Sequence, residues 1–456
     1  MNSQQFKNHL KKYLVFLFLL LFTTHYSLST DVFALDVKRT VLPNGLIVLH
    51  SEKHNLPIVM VTLLVKASQL NEPKDKAGLA NLTAELLTEG TKNRKSTDIS
   101  DEIEFIGASL YVSAISDYTT VTLSVLKKDI NKGVELFSDI LLNPTFPQGE
   151  IERKKELIKG SLKQQEEEPF FLASRAFKQE VFGEHPYGRL IEGSVETIDN
   201  IKREDLVRFY SDYFLPNNST LSVVGDLRYD ELDGLIKQYL GEWKKKDVLL
   251  KVAKKIEERK IKKVVKIDKD LTQANIILGN LGICRDNPDY YAVSVMNYIL
   301  GGGGFSSRLM QSIRDEMGLA YDVHSFFAAS KEKGIFQIGV QTKNESANTA
   351  IDEILKQVNR IRKENVSDQE ISDAKSYLTG SFPRRLDTNR KIADFLASVE
   401  FYNLGLDYVE KFSIYINSVT KDDVLRVAQK YLDPEKYVLV VVANQKKANI
   451  QGAGSQ

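Results

Sequence analysis

The sequence predicts an α+β fold built by tandem duplication of one unit. The chain has 456 residues, and since single domains usually hold about 100 to 200 residues, this length allows two or more cores. Strand-like and helix-like patterns alternate along the chain, and its second half resembles its first. An apolar fraction of 42% with 27% charged residues is typical of globular proteins and excludes disordered, collagen-like and coiled-coil classes.

The duplication is visible as two separate matches between the halves of the chain. Residues 201–226 match residues 419–444 without a gap, at an offset of 218. A second match, at an offset of 220, aligns Glu150 with Glu370. Two matches at nearly the same offset indicate one repeated unit a little over 200 residues long and exclude a solenoid of short repeats.

The local patterns predict the same kinds of element in each unit. In the first unit, leucines spaced three and four apart predict a helix over 77–89. Segments rich in β-branched residues predict strands at 41–50, 58–65, 109–116, 119–126 and 220–224 in the first unit, and at 274–278, 320–327 and 335–341 in the second.

The beginning of the chain has the pattern of a secretory signal peptide. Lysines precede an apolar run from Tyr13 to Phe22, which is too short to span a bilayer as a helix, and Val32-Phe33-Ala34 resembles a cleavage site. We therefore expect residues 1–34 to be removed and the mature protein to be exported, in a bacterial periplasm. An uncleaved membrane anchor is the alternative.

The chain is nearly neutral, with 62 Lys and Arg against 61 Asp and Glu, which argues against bulk attraction to nucleic acid or an anionic membrane. The one locally basic segment, 244–263, is predicted to be a solvated linker rather than a nucleic-acid patch. The predicted organisation is a signal peptide at 1–34, a first unit at 35–243, the linker at 244–263, a second unit at 264–446 and a tail at 447–456.

Few residues of the mature chain suggest catalysis. The single cysteine, Cys284, excludes an intramolecular disulfide and is predicted to be a buried structural thiol. His50 and His54 lie at a strand end and in a turn, so we predict solvated residues rather than a metal pair. The glycine run 301–304 lacks the Lys-Ser/Thr of a phosphate cradle, which leaves close approach to an extended ligand or a flexible hinge.

Several motifs stand together in an order that is specific to one family. They are Leu42-Pro43-Asn44-Gly45-Leu46, Gly78-Leu79-Ala80, Gly90-Thr91, His185-Pro186-Tyr187-Gly188, Gly302-Gly303-Gly304-Phe305-Ser306-Ser307-Arg308-Leu309 and Gly318-Leu319-Ala320-Tyr321. Over nearly all of residues 38–445 the chain resembles the pitrilysin or insulinase (M16) family of zinc metallopeptidases, in the size class of mitochondrial processing peptidase subunits. The resemblance implies that each unit is a mixed, mostly antiparallel sheet packed with helices.

The resemblance fails at the positions that hold zinc. Active members carry His-x-x-Glu-His on the helix after Gly-Leu-Ala, with a Glu further on as third ligand. Here the five positions read Asn81-Leu82-Thr83-Ala84-Glu85, and the third ligand aligns with Ser161. Because Asn and Ser are poor zinc ligands, the resemblance implies no metal and no cofactor in this chain.

The second unit keeps the residues that face the zinc in the family. Arg314 and Tyr321 match the family's Arg and Tyr pair, in which the phenol donates to the oxyanion of the attacked peptide carbonyl. Spacing alone favours a non-functional interpretation, with Arg314 as a solvated helix residue and Tyr321 as a half-buried strand residue, and only the resemblance favours function. The resemblance also assigns substrate binding to the glycine loop, Gly302, Gly303, Gly304 and Phe305.

Together these features imply a division of labour between two chains. This chain would supply Arg314, Tyr321 and the glycine loop, and a zinc-bearing M16 subunit would complete a heterodimer around an extended peptide. Two alternatives remain at this stage: a degenerate scaffold or peptide-binding protein with no role in catalysis, and a hydrolase that uses a different metal site.

Overall fold

The computed structural model describes residues 35–248, 255–258 and 260–451. The predicted signal peptide, residues 1–34, lies outside these ranges, as do part of the predicted linker and residues 452–456. Within the described ranges, no helix is both long enough and apolar enough to cross a membrane.

Six strands form the first sheet, in the order β1-β2-β6-β3-β5-β4. They are β1 (Lys38–Val41), β2 (Ile47–Glu52), β3 (Ile58–Val65), β4 (Ser109–Ala114), β5 (Thr119–Leu126) and β6 (Ser219–Gly225). β2 and β6 run parallel, and the other neighbours are antiparallel. The predicted strand at 41–50 is therefore two strands, because Gly45 takes a φ of +86° and reverses the chain between them.

Five strands form the second sheet, in the order β7-β11-β8-β10-β9. They are β7 (Lys263–Asp268), β8 (Gln273–Leu281), β9 (Val323–Ala328), β10 (Ile335–Lys343) and β11 (Val438–Ala443). β7 and β11 run parallel, and the other neighbours are antiparallel.

Helices cover both sheets. In chain order they are α1 (Leu79–Leu86), α2 (Ser96–Phe105), α3 (Ile130–Leu142), α4 (Gln148–Gln165), α5 (Pro169–Phe182), α6 (Val195–Asp199), α7 (Arg203–Tyr213), α8 (Tyr229–Leu240), α9 (Tyr290–Asn297), α10 (Ala347–Lys363), α11 (Asp368–Ser381), α12 (Asn389–Phe401), α13 (Tyr408–Ser418), α14 (Lys421–Tyr431) and α15 (Gln445–Ala448). The mixed architecture confirms the predicted α+β class.

The two sheets have one topology, which confirms the duplication. If β1 is left out, the order β2-β6-β3-β5-β4 of the first sheet corresponds strand by strand to the order β7-β11-β8-β10-β9 of the second. The parallel pair, β2 with β6 and β7 with β11, is at the same edge in both sheets. The aligned residues also have the same local role. Asp205 accepts a hydrogen bond from the N–H of Lys202 at 2.9 Å, and Asp423 accepts one from the N–H of Thr420 at 3.0 Å, so each caps the start of its helix.

Each unit contributes one helix to the sheet of the other unit. Phe177 of α5, in the first unit, is fully buried in one cluster with Ile277 and Val440 of the second sheet. In the opposite direction, Asp394 of α12 accepts a hydrogen bond from the Thr62 hydroxyl of the first sheet at 2.9 Å. Alternating residues of a strand face opposite sides, and the second sheet has a core cluster on each face. In the first sheet one face belongs to a large core cluster, and residues of the other face, Met60 and Leu64, are also buried.

The second unit is longer than the predicted range of 264–446. Its first strand begins at Lys263, and at its end Ala448 and Ile450 are 2% and 5% exposed within the core. Part of the predicted tail at 447–456 is thus packed. In the predicted linker, Ile256 packs against the cluster between α5 and the second sheet.

Candidate functional site

Arg314 and Tyr321 lie together, and Phe305 of the glycine loop joins them. The Arg314 guanidinium carbon is 4.6 Å from the centre of the Phe305 ring and 5.3 Å from the centre of the Tyr321 ring. These distances allow cation–π attraction to both rings. Phe305 is 68% and Tyr321 87% exposed, so this set of three residues, here called the arginine–aromatic cluster, faces solvent.

Irregular backbone positions the cluster. Arg314 lies in a stretch of π-helix, Met310–Glu316, which ends where the Gly318 N–H donates to the Arg314 carbonyl at 3.1 Å. Gly318 has a φ of +63°, and the chain turns there toward Tyr321 and the start of β9. Tyr321 was predicted inside a strand over 320–327, but the strand begins at Val323. This places the phenol outside the sheet, where it is almost fully exposed.

A partly buried ion pair anchors the segment between Phe305 and Arg314. Arg308 is 6% exposed and donates to both carboxylate oxygens of Glu370, at 2.6 and 3.1 Å. Burial raises the pKa of Glu370, but hydrogen bonds from Arg308 and Ser367 outweigh this effect and lower the pKa to about 2. The carboxylate is therefore charged at neutral pH, and the segment that carries Phe305 is tied to α11.

Most of the glycine run is required by packing within the chain. A Cβ atom at Gly301 would lie 2.6 Å from the Ser325 hydroxyl, one at Gly302 would lie 2.5 Å from Asn297 Nδ2, and one at Gly303 would lie 2.7 Å from the Tyr298 carbonyl. At Gly304 the surroundings are open, and φ is +57°. The first three glycines thus have a structural reason that does not depend on a ligand, and Gly304 provides the turn into Phe305.

The degenerate zinc positions are satisfied by one another and by a lysine. Asn81 Nδ2 donates to Glu85 Oε1 at 2.9 Å, so the two helical ligand positions form a pair across one turn of α1. The ammonium of Lys154, on α4, lies 3.7 Å from the Glu85 carboxylate and 3.0 Å from that of Glu89. A positive charge this close to Glu85 disfavours a divalent cation.

The other two degenerate positions also lack metal-binding character. Ala84 is fully buried, and the exposed Ser161 hydroxyl accepts a hydrogen bond from Gln165 at 3.3 Å. In the part of the chain that the structure describes, no three His, Cys, Asp or Glu residues group in a way that could hold a metal ion. The residues present at the family's metal site therefore do not fit zinc.

The remaining candidates are not catalytic by their surroundings. His50 was predicted to be solvated, but it is 3% exposed, with Nε2 3.0 Å from the Leu227 carbonyl, so this prediction is wrong. His54 is exposed and lies between the carboxylates of Glu52 and Asp226. Cys284 is half-buried rather than buried, and its burial raises the pKa of the thiol, which weakens it as a nucleophile.

Comparison with known proteins shows the family. The family description "Insulinase (Peptidase family M16)" matches residues 47–194, and "Peptidase M16 inactive domain" matches residues 200–378. A crystal structure of a peptidase M16 inactive domain from Pseudomonas fluorescens is 30% identical, covers 90% of this chain and 98% of that chain, and has a TM-score of 0.84. The chain belongs to the M16 family.

The M16 relatives differ in what their names state. A non-peptidase homolog, YmxG of Helicobacter pylori, is 27% identical over 88% of this chain and 92% of its own length. An uncharacterized zinc protease of Rickettsia bellii is 26% identical over 90% of this chain and 92% of its own length. The crystal structure of a protease from Helicobacter pylori shares the fold, with a TM-score of 0.83 at 20% identity over 90% of this chain and 99% of that chain. The non-peptidase homolog, the inactive-domain structure and the inactive-domain family match, together with the degenerate positions, support a non-catalytic M16 scaffold.

The boundary between the two M16 descriptions does not follow the structural units. It falls between residues 194 and 200, whereas β6, at Ser219–Gly225, completes the first sheet between β2 and β3. The second description therefore begins inside the first unit and ends, at residue 378, before β11 closes the second sheet.

Two residues that matter at these sites were not predicted from the sequence. Lys154 lies two helical turns before Ser161 on α4, and this spacing is the signal that could have placed it near the metal positions. Tyr298 lies three residues before Gly301, the first residue of the glycine run, and its ring packs 4.9 Å from that of Tyr377. An aromatic residue within one helical turn of four glycines was the available signal.

Proposed function

We propose that this chain is the zinc-lacking subunit of a two-subunit M16 metalloendopeptidase and supplies substrate binding and transition-state stabilisation to a partner's zinc site. The observation that carries the proposal is the arginine–aromatic cluster. Phe305 and Tyr321 are two exposed aromatic side chains that lie close together, and adjoining exposed apolar surface can mark an interaction site. Here the Arg314 guanidinium is within cation–π distance of both rings.

The chemistry of the cluster suits the proposed task. The Tyr321 hydroxyl would donate a hydrogen bond to the oxyanion that develops on the attacked peptide carbonyl. The Arg314 guanidinium is permanently charged, keeps the Tyr321 ring in position and adds a positive potential beside the oxyanion. Zinc and the water it activates would come from a partner with an intact His-x-x-Glu-His motif.

The state of the first unit supports this division. The Lys154 ammonium interacts with both Glu85 and Glu89, beside the positions that hold zinc in active family members. A positive charge at this point would repel a zinc ion. This unit of the chain would serve the complex as framework and chamber wall. We also propose that the complex acts in a periplasm, because residues 1–34 have the pattern of a signal peptide.

The test is cleavage of an unstructured quenched-fluorescent peptide by this chain, by a candidate zinc subunit from the same organism, and by their mixture. We expect activity only in the mixture, and its loss when a chelator is added. Tyr321→Phe should lower kcat about 100-fold, as expected for loss of one oxyanion donor. Tyr415→Phe is a matched control, because Tyr415 is a partly exposed tyrosine on α13 outside the cluster.

Two outcomes would contradict the proposal. Full activity of the mixture with Tyr321→Phe would mean that the chain is a scaffold or peptide-binding protein with no part in catalysis. Chelator-sensitive cleavage by this chain alone would mean that it carries a metal site of its own.

A further inference from the structure

A small cavity beside the glycine loop has no part in the mechanism above. It has a volume of about 170 Å³ and lies between α9, α11 and β9, with Gly302 at its edge. Pockets for small molecules usually measure about 300 to 1,000 Å³, so this cavity is large enough for one side chain only. Its walls include Tyr290, Ser294, Asn297, Tyr298, Phe327 and Tyr377.

The polar side chains of Ser294 and Asn297 in the wall are already hydrogen-bonded within the chain. The Ser294 hydroxyl donates to the Tyr290 carbonyl at 2.8 Å. Asn297 donates from Nδ2 to the Ser325 carbonyl at 3.2 Å and accepts from the Ser325 hydroxyl at 2.8 Å. Most of the other lining residues are aromatic or aliphatic and none is charged, which favours an apolar or aromatic side chain over a charged one.

Aromatic contacts connect the cavity with the arginine–aromatic cluster. The Tyr298 ring packs 4.9 Å from the Tyr377 ring, and its hydroxyl lies 3.4 Å from that of Ser306. Ser306 follows Phe305, whose ring lies against Arg314. The cavity is thus at one end of a continuous strip of side chains that has Tyr321 at the other.

The backbone leaves the edge of the cavity open. Tyr298–Gly302 forms a π-helical turn. The π-helix is rare in proteins, and where it occurs it often lies at a functional site. Gly302 is exposed and has no side chain to cover the cavity. Tyr377, on the opposite wall, is 51% exposed, so part of this wall is accessible from solvent.

We infer that this cavity is a specificity pocket for one large apolar or aromatic side chain of an extended peptide whose reacting bond lies at Tyr321. This inference rests on the proposed function and names the substrate feature that the chain selects. In the duplicated architecture, α9 and α11 correspond to α1 and α4, the helices that carry the degenerate metal positions. The second copy of the helix pair therefore holds a side-chain pocket.

The first experiment measures binding to the purified chain alone, without a zinc subunit. The probes are two fluorescein-labelled twelve-residue peptides of Gly, Ser and Lys that differ only in one central position, Phe or Ala. Burial of one large apolar side chain corresponds to a difference of about 10- to 100-fold in Kd. We expect the Phe peptide to bind more tightly by this factor.

Variants of the wall locate the effect. Ser294→Leu fills the cavity, and Tyr377→Ala removes one wall; each should bring the Phe peptide to the affinity of the Ala peptide. Tyr415→Ala is the matched control, since Tyr415 also packs its ring against a tyrosine, 4.6 Å from Tyr291, but outside the pocket. This control should retain the full Phe preference.

Photo-crosslinking provides a readout that does not depend on folding of a variant. With benzoylphenylalanine at the central position, adducts are expected on residues 290–302 and 377–378. Equal binding of the two peptides, binding of neither, equal effects of Tyr377→Ala and Tyr415→Ala, or adducts elsewhere would each overturn the inference. If the mixture cleaved peptides but the chain showed no preference for the Phe peptide, the specificity pocket would be overturned and the proposed function would stand. If the chain preferred the Phe peptide but the mixture cleaved nothing, the proposed function alone would be overturned.

Discussion

The Tyr402 hydroxyl donates a hydrogen bond to Asp117 Oδ2 at 2.8 Å, and this contact joins the end of α12 in the second unit to the β4–β5 hairpin of the first. Asp117 is 6% exposed. Its other oxygen accepts from the Tyr187 hydroxyl, and Oδ2 also accepts from the N–H of Lys331 at 2.9 Å. One buried carboxylate thus connects four segments of the chain.

Asp117→Asn is expected to destabilise the whole protein. Hydrogen bonds to a charged acceptor contribute about 1.5 to 3 kcal/mol, and an Asn amide would place a donor against one of the tyrosine hydroxyls. We expect the free energy of unfolding to fall by about 2 to 3 kcal/mol in urea denaturation followed by circular dichroism. Tyr402→Phe removes one donor only and should cost about 1 kcal/mol. An Asp117→Asn midpoint equal to that of the wild type would show that this carboxylate does not hold the units together.

His185 is expected to make the fold sensitive to acid. Burial of its ring, with the nearby charge of Arg189, lowers the pKa from 6.5 to about 4. Between these values the unfolded state binds more protons than the folded state, so the free energy of unfolding falls as the pH decreases from 6.5 to 4. The total loss is on the order of 3 kcal/mol, since one pKa unit corresponds to about 1.4 kcal/mol.

His185→Asn separates this titration from the structural role of the side chain. His185 Nδ1 accepts a hydrogen bond from the Tyr187 N–H at 3.2 Å, and an Asn carbonyl can accept from the same donor. Urea denaturation at several pH values should therefore give a flatter profile between pH 6.5 and 4 for the variant. A wild-type slope in the variant would assign the acid sensitivity to other groups.

The long-range contacts explain why the sequence predicted the fold better than the site. The duplication, the sheet strands and the degenerate zinc positions all depend on local patterns or on position within a motif. The partners of Asp117, in contrast, lie 70, 214 and 285 residues away, and no local pattern connects them. His185-Pro186-Tyr187-Gly188 was recognised as a motif, but the role of Tyr187 becomes clear only with Asp117 beside it.

The same limit applies at the glycine loop. The sequence indicated close backbone approach, and the structure shows that the approaching groups belong to the chain itself at Gly301, Gly302 and Gly303. Arg314 and Tyr321 were paired by their match to the family, and the structure added Phe305 as the second ring on the guanidinium. Seven residues of a regular helix would separate Arg314 and Tyr321 by two turns, about 10 Å along the axis. Here the helical stretch ends before Tyr321, and the turn at Gly318 brings the two side chains close.

Phe177→Ala is expected to weaken both units at once. Phe177 is fully buried, although it belongs to a helix of the first unit that packs on the second sheet. Truncation of a buried Phe typically costs about 3 to 5 kcal/mol. Because the core is shared, thermal unfolding should remain a single transition at a lower Tm. Phe305→Ala, at a residue that is 68% exposed, serves as control and should change stability by less than about 0.5 kcal/mol. Two separate transitions for Phe177→Ala would mean that the units unfold independently.

Metal binding can be restored in part if the helices keep the geometry of the family. The triple variant Asn81→His, Glu85→His and Ser161→Glu supplies three zinc ligands and leaves the buried Ala84 unchanged. Metal analysis should find about one equivalent of zinc in the variant and no tightly bound zinc in the wild type. Addition of Lys154→Ala should raise the affinity about 10-fold, because it removes a positive charge next to position 85. Ser161→Glu alone is the control, and a triple variant without zinc would mean that α1 and α4 no longer hold the required geometry.

Arg314→Lys tests whether the planar guanidinium itself is needed in the cluster. Lysine keeps the charge but lacks the planar guanidinium that contacts the rings of Phe305 and Tyr321, so the phenol should lose its fixed orientation. In the mixture with a zinc subunit we expect kcat to fall at least about 10-fold, with a change in the free energy of unfolding below about 0.5 kcal/mol. Arg390→Lys is the matched control, since Arg390 lies 4.7 Å from the Tyr111 ring in a similar contact elsewhere. If both variants reduced kcat equally, the loss would come from a general effect of arginine replacement; a loss confined to Arg314→Lys would assign the orientation of Tyr321 to this one side chain.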